Sequence, residues 1–254
     1  MIKVKALTLT VLLSLLFIGN ASAEGETLKE TDNVGISFWI ATAMMLASTA
    51  FFLIERSSVA PKWRTSMTVA GLVTGVAFWH YLRMSEMNAA GEVTTVFRYV
   101  DWLITVPLQI VEFYLILLAV TVVSSGLFWR LLGASLVMLI FGFLGEAGLM
   151  DSTIAFVPGM AAWIYIIYEV FSGEASKLSD GSKNAGGQFA FNTLRIIVTA
   201  GWFIYPMGYA LGYLGGGTDM NTVNIIYNVA DLVNKTAFGL AIWLGARMDT
   251  ASDK

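Results

Sequence analysis

The chain contains no cysteine and a single histidine, His80. Disulfides and thiolate metal sites are thereby excluded, and one imidazole leaves too few ligands for a zinc or iron centre. Charge is scarce as well. Of 254 residues, 13% are Asp, Glu, Lys or Arg and 57% are hydrophobic, whereas a soluble globular domain carries about 25% charged residues. The balance points to a polytopic membrane protein rather than a soluble domain, with no nucleic-acid partner expected. No internal repeat or low-complexity segment interrupts the chain, and one all-α bundle uses its whole length. The net charge of −3 says little, because the distribution of Lys and Arg matters more than their sum.

What is present is a succession of apolar runs. Residues 1–23 read as a signal peptide: Lys3 and Lys5, an apolar core from Leu7 to Ile18, then the small residues Ala21-Ser-Ala23. The alternative is an uncleaved extra helix, for which that core is short. Residues 24–254 then form the membrane domain. Seven apolar segments follow, at about Val34–Ile54, Thr65–Met84, Val96–Val123, Leu127–Met150, Ile154–Phe171, Phe189–Leu214 and Asn221–Ala246. Polar links join them, the longest being Ser172–Gln188. With the N-terminus outside, the inner links hold Arg56, Lys62, Arg64, Arg130, Lys177, Lys183, Arg247 and Lys254, and the outer ones only Lys29 and Arg83. This obeys the positive-inside rule and puts the C-terminus in the cytoplasm. Signal and spans together suggest a bacterial inner membrane.

The third run carries polar residues that a lipid-facing helix would not hold: Arg98-Tyr-Val-Asp101-Trp-Leu-Ile-Thr105-Val-Pro-Leu-Gln109-Ile-Val-Glu112. A charge at the centre of a membrane helix costs about 2.5–3.5 kcal/mol on insertion scales, so such residues face a protein interior and act there. At about 100° per residue, Asp101 and Thr105 lie ~40° apart and Asp101 and Glu112 ~20° apart. The two carboxyls share a face but are separated by about 16 Å of helix axis. That is too far for contact and suits two stations on a transmembrane proton path.

The last run holds Asn224-Ile-Ile-Tyr-Asn-Val-Ala-Asp231-Leu-Val-Asn-Lys235. A buried lysine needs a counter-ion or must lose its proton, and desolvated lysines are those that form Schiff bases with carbonyl compounds. Asp231, one turn earlier, lies about 6 Å outward of Lys235 along the helix. A cation on Lys235 thus has two carboxylates, Asp101 and Asp231, toward the exterior and one distant carboxyl, Glu112, toward the cytoplasm. An outward proton pump needs that asymmetry.

Arg98-Tyr-x-Asp-Trp-x-x-Thr-x-Pro-Leu together with Asp231-x-x-x-Lys235 resembles the microbial rhodopsins. Gly71-Leu-Val-Thr-Gly-Val-Ala-Phe-Trp-His80-Tyr and Phe141-Gly-Phe-Leu-Gly-Glu-Ala-Gly148 are similar to the proteorhodopsin branch of that family. The likeness covers essentially the whole mature chain. It implies a seven-transmembrane-helix bundle that binds all-trans retinal on Lys235 as a protonated Schiff base and exports protons in light, a transporter rather than an enzyme. By the same resemblance Asp101 is the primary proton acceptor, Asp231 completes the counter-ion and Arg98 sits beneath it toward the exterior. Thr105 hydrogen-bonds the Asp101 carboxyl, His80 pairs with it, and Glu112 is the cytoplasmic proton donor, protonated at rest in its apolar surround. Trp102, Trp202 and Tyr205 match the retinal pocket, with Tyr81, Tyr209 and Trp163 as secondary candidates; aromatic residues at helical spacing are otherwise ordinary core. Gln109 matches the position where green-absorbing members carry leucine and blue-absorbing ones glutamine, which implies a blue-absorbing pigment. The bland reading of Gln109 is a polar residue bonding to a neighbouring helix.

The resemblance also implies a homo-pentamer or homo-hexamer, with Trp39 and His80 near the protomer contact, while Ser57 stands where related chains often carry an acid. Pro107 removes a backbone hydrogen bond near the active centre and Pro206 is expected to kink the sixth helix. Glu146 reads as a solvated rim carboxylate, with help in proton exit as the other reading. Glu55, Arg56, Glu169 and Glu174 lie at helix ends with no special role, and Arg195 can snorkel. The alternative function is a photosensory rhodopsin signalling to a membrane transducer. Glu112 counts against it, because a sensor has no need of fast reprotonation. A third class is a retinal-free transporter or receptor in which Lys235 and Asp231 form a structural ion pair.

Overall fold

The computed structural model describes residues 28–215 and 218–252; the expected signal peptide, residues 1–23, lies outside them. The described residues form helices and turns with no strand. In chain order the helices are α1 (Asn33–Glu55), α2 (Arg64–Ala89), α3 (Thr95–Val120), α4 (Ser125–Glu146), α5 (Ser152–Phe171), the short α6 (Glu174–Gly181), α7 (Ala185–Ile196), α8 (Ile204–Tyr213) and α9 (Met220–Ser252). A π-turn at Ile197–Gly201 joins α7 to α8, so the two make one span. Each span packs against its neighbours in sequence and α9 closes the ring against α1.

Local chemistry sets the helix starts. Asp32, Asp151 and Asn184 are N-caps whose side chains accept from Gly35 N, from Thr153 N and Ile154 N, and from Gly187 N. Two ends depend on a left-handed glycine: Gly91 after α2 and Gly148 after α4, at φ 73° and 69°. Each is followed by an amide that reaches back across the turn, Glu92 N to Met87 O and Leu149 N to Leu144 O.

Five of the seven spans are long and apolar enough to cross a membrane by length and composition alone. The remaining two, α2 and α9, are 26 and 33 residues long, so length is not what separates them. In α9 the apolar content is diluted by Asn224, Asn228, Asp231, Asn234 and Lys235, whose spacings of four, three, three and one residues line them along one side. Four of the five are fully buried and Asn224 is half-buried. Large apolar side chains such as Ile40, Trp129, Ile164, Phe203 and Val229 instead cover the outside, which is the distribution of a bundle solvated by lipid.

Three sequence expectations are corrected here. The link Ser172–Gln188 is mostly helical, comprising α6 and the first turn of α7, because Ala175 and Leu178 pack on the core. The last helix runs to Ser252 rather than Ala246, held by Asp249, which is buried. The irregularity of the sixth span falls before Pro206, not at it. Trp202 N bonds Ile197 O across the wide turn, and Trp202 O, which residue 206 would normally satisfy, accepts from Tyr205 N instead. Pro206 then sits in the first turn of α8, where its missing N–H costs nothing.

Candidate functional site

The buried polar residues of α3 and α9 meet in the middle of the bundle. Lys235 Nζ lies 2.5 Å from Asp101 Oδ2 and 2.9 Å from Asp231 Oδ2, and all three side chains are at most 2% exposed. Isolated charges at such depth would be prohibitively costly, so they persist only as a compensated set. Arg98, also buried on α3, completes it: two cations against two carboxylates.

The two carboxylates are not equivalent. Asp231 accepts from Tyr205 Oη at 2.7 Å, Tyr81 Oη at 2.8 Å, Trp102 Nε1 at 3.2 Å and Lys235. Asp101 accepts from Lys235 on Oδ2, while its Oδ1 has no hydrogen-bond partner. His80 Nδ1 is 3.6 Å from that oxygen and lies 2.9 Å from the Val76 carbonyl of its own helix. The expected pairing of His80 with Asp101 is thus a juxtaposition in an ion-pair distance, not a hydrogen bond. Thr105 differs as well. Its Oγ1 donates to the Asp101 backbone carbonyl at 3.0 Å, not to the carboxyl, because a helical threonine finds the carbonyl four residues back within reach.

Arg98 touches no carboxylate directly. Its guanidinium donates to Tyr81 Oη, Asn224 Oδ1 and Asn228 Oδ1 at 3.2, 3.1 and 2.9 Å and lies 5.5–5.9 Å from the ring centres of Tyr227, Phe38 and Tyr81. Tyr81 therefore relays between Arg98 and Asp231. Sequence reasoning gave Tyr81 a secondary place and passed over Asn224, Asn228 and Tyr227. The signal was available in the four- and three-residue spacing of Asn224, Asn228, Asp231 and Lys235. Glu146 requires a correction: it is half-buried, accepts from Tyr227 Oη at 2.8 Å and reaches the central cavity, so it is not a solvated rim group. Its helix ends beside the tyrosines of α3 and α9, whose hydroxyls need an acceptor in an apolar wall.

Glu112 lies on the same face of α3 as Asp101 and is fully buried. Neither of its carboxyl oxygens has a hydrogen-bond partner, and Ser66 on α2 is the polar side chain facing it. Its chain neighbour Phe113 packs against the rings of Phe191 and Phe238, and with Ile116 and Leu194 these belong to one apolar cluster. Glu169, by contrast, is buried and tied to Arg130, Tyr165 and the backbone of Glu174; it anchors α6 instead of idling at a helix end.

A cavity runs from Lys235 and Asp231 between α3, α4, α5 and α8. Trp102, Gln109, Trp202 and Tyr205 all line it, as do Trp163 and Tyr209. The flat rings on its walls suit a rigid, extended apolar ligand. Gln109 is buried with its amide nitrogen unpartnered, so it is not bonded across to a neighbouring helix through that donor. One end of the cavity is a primary amine beside a carboxylate, the other walls are mostly apolar and aromatic, and an orphaned amide lies on one side. These residues fit retinal, with Lys235 as the group that would hold it.

Comparison with known proteins agrees with this geometry. The sequence model of the family described as "Bacteriorhodopsin-like protein" matches residues 32–248. The chain is 52% identical to the blue-light absorbing proteorhodopsin of Gamma-proteobacterium Hot 75m4 over 238 residues, 92% of this chain and 94% of that one. It is 51% identical to the green-light absorbing proteorhodopsin of Gamma-proteobacterium EBAC31A08, over 92% of this chain and 95% of that one. Among solved structures, the blue light-absorbing proteorhodopsin from Med12 superposes with a TM-score of 0.76 at 60% identity, covering 88% of this chain and 100% of that one.

Proposed function

The chain belongs to the bacteriorhodopsin-like protein family, and from that premise we propose that it is a light-driven outward proton pump absorbing blue light. It is a multi-pass membrane protein whose cofactor is retinal. Held in the all-trans form on Lys235 Nζ as a protonated Schiff base, retinal would supply a light-driven isomerisation.

The chain's own groups supply direction. At rest Lys235 Nζ holds a proton between Asp101 Oδ2 and Asp231 Oδ2. Asp231 is stabilised as an anion by three neutral donors besides the lysine, whereas Asp101 has one oxygen with no donor at all. The proton therefore passes to Asp101. Arg98, linked to Asp231 through Tyr81 and to Asn224 and Asn228, keeps compensating charge on the outer side throughout. Glu112, enclosed without a cation or donor of its own, keeps its proton until Lys235 Nζ needs one, since an ionised carboxylate there would be unsolvated. Trp102, Trp202 and Tyr205 exclude water and hold the polyene, and Gln109 sets an amide dipole beside it. A homo-pentamer or homo-hexamer in a bacterial inner membrane, with the N-terminus outside, completes the reading.

The observation that carries the proposal is the unequal satisfaction of the two carboxylates at Lys235, combined with a single unpartnered carboxyl on the opposite side. The test is expression with added retinal, followed by an absorption spectrum and pH recording of illuminated cells. Expected are a visible band in the blue and acidification of the medium abolished by a protonophore. A coloured protein with no light-driven pH change overturns the pump and leaves the sensor; a colourless one returns the Lys235–Asp231 pair to a structural role.

A further inference from the structure

Glu112 is sealed from both aqueous phases, so refilling it requires a path to open at its own end of the bundle. Ser66, in the first turn of α2, faces Glu112, and Trp63, the N-cap of α2, closes the turn that leads into that helix. Its indole is fully buried and packs in the same apolar cluster as Met67, Phe113 and Phe191. Trp63 Nε1 donates to Asp249 Oδ2 at 2.6 Å.

Asp249 gathers more than this one donor. Lys62 Nζ lies 2.7 Å from the same oxygen, and Asn184 Nδ2 donates to Oδ1 at 2.5 Å. Asn184 is also the N-cap of α7, accepting from Gly187 N at 2.7 Å. One residue after Asp249, the Thr250 hydroxyl accepts from Ala60 N at 2.8 Å. A buried carboxylate near the end of α9 thus ties together the turn leading into α2 and the N-cap of the sixth span. Directly beneath, α7 and α9 touch backbone to backbone: a Cβ on Gly186 would stand 2.4 Å from Gly245 O. No bulky side chain wedges the two helices apart there, so the polar contacts close the mouth and the glycines let it close tightly.

We propose that Asp249, with Trp63 and Asn184, is a latch over the proton-uptake mouth of Glu112. It is a positioning residue: it moves no proton itself but holds Trp63 as the plug above Ser66 and Glu112 and pins the start of the sixth span beside it. When Glu112 has given up its proton, water and a proton from the adjoining aqueous phase reach it only after the Trp63 and Asn184 bonds to Asp249 part. The latch sets the rate of that opening and closes the path again once Glu112 is neutral. The inference rests on the pump reading above.

The test measures flash-induced absorbance changes and proton uptake, reported by a pH-indicator dye, on the retinal-loaded protein in lipid vesicles. Trp63→Phe keeps an aromatic ring in the cluster and removes the bond to Asp249; Asn184→Ser keeps a cap on α7 and removes the reach to Asp249. Each should speed uptake and ground-state recovery about two- to tenfold, the change that one hydrogen bond makes in an opening equilibrium. Asp249→Ala should exceed both, and Lys62→Gln should fall short of all three because that lysine is 36% exposed and its ion pair is screened. The absorption band and the first proton transfer should stay unchanged throughout, which also shows that the variants fold. Slower uptake in Asp249→Ala would make Asp249 a proton relay and overturn the latch. Unchanged uptake across the series would reduce the cluster to structural support. If the unmodified protein takes up no proton after a flash, the pump reading itself has failed; if it does and the series is flat, only the latch has.

Discussion

The two halves of the bundle on either side of Lys235 are built from opposite materials. On the Arg98 side nearly every buried polar atom is bonded: Asp231 to Tyr81, Tyr205 and Trp102, Arg98 to Tyr81, Asn224 and Asn228, and Tyr227 to Glu146. On the Glu112 side, between Lys235 and the Asp249 cluster, the Glu112 carboxyl sits without a hydrogen bond next to Phe113 and the rings packed on it. A wired half can redistribute charge by shifting protons and small rotations, without moving helices. A dry half conducts nothing until it opens. In the proposed cycle this difference enforces direction: release is always available on one side, and uptake waits for a structural event on the other.

The most severe way to break the comparison is to remove the residue that divides the halves. Lys235→Ala should abolish colour while the protein still inserts, because no other buried lysine lies among the described residues. A retinal-dependent visible band surviving in the purified variant would falsify the attachment site.

Next is the acceptor on the wired side. Asp101→Asn should stop pumping and move absorption to longer wavelength, since loss of a negative charge beside the cation raises the ground state more than the charge-shifted excited state. Asp231→Asn in parallel sharpens the contrast: removing the acceptor of three neutral donors should instead disorder the site and lower pigment yield. Outward pumping by Asp101→Asn, measured as illuminated pH change in vesicles, excludes Asp101 as acceptor.

The dry half is tested more gently. Glu112→Gln keeps the volume but has no proton to give, so recovery of the ground state should slow by roughly 100-fold, the lower end of what a positioned proton donor contributes. The first transfer to Asp101 should be unaffected. Azide, a small diffusible proton carrier, should restore part of the rate. A flash photolysis trace indistinguishable from the unmodified protein means reprotonation comes from elsewhere.

The smallest effect is expected at Gln109, which belongs to neither half and lines the cavity alone. Gln109→Leu removes a fixed dipole next to the polyene and should shift the band toward green with pumping intact. Spectra of both proteins at one pH decide it: a band that stays put, or moves further to the blue, removes Gln109 from colour tuning. Overall identity cannot decide colour here, since the blue- and green-absorbing relatives match the chain at 52% and 51%.

The sequence by itself determined the class and singled out the central polar residues. Charge scarcity and seven apolar runs suffice for a seven-helix membrane bundle, because lipid forbids unpaired charge and so makes every intramembrane polar residue conspicuous; retinal follows from the resemblance of the two motifs around Asp101 and Lys235 to the microbial rhodopsins. The 3.6-residue period placed Asp101 and Glu112 on one face correctly, since a helix through Pro107 stays regular. Tertiary structure decided what depends on contacts between helices. That Thr105 turns to the Asp101 carbonyl, that Arg98 reaches Asp231 only through Tyr81, and that Glu146 is enclosed by tyrosines all follow from which faces the ring of helices brings together, and periodicity within one helix carries no such information. Asp249 is the clearest case. Near the end of a chain an aspartate reads as a solvated terminus, and only the closure of α9 against α2 and α7 makes it a buried carboxylate with three partners.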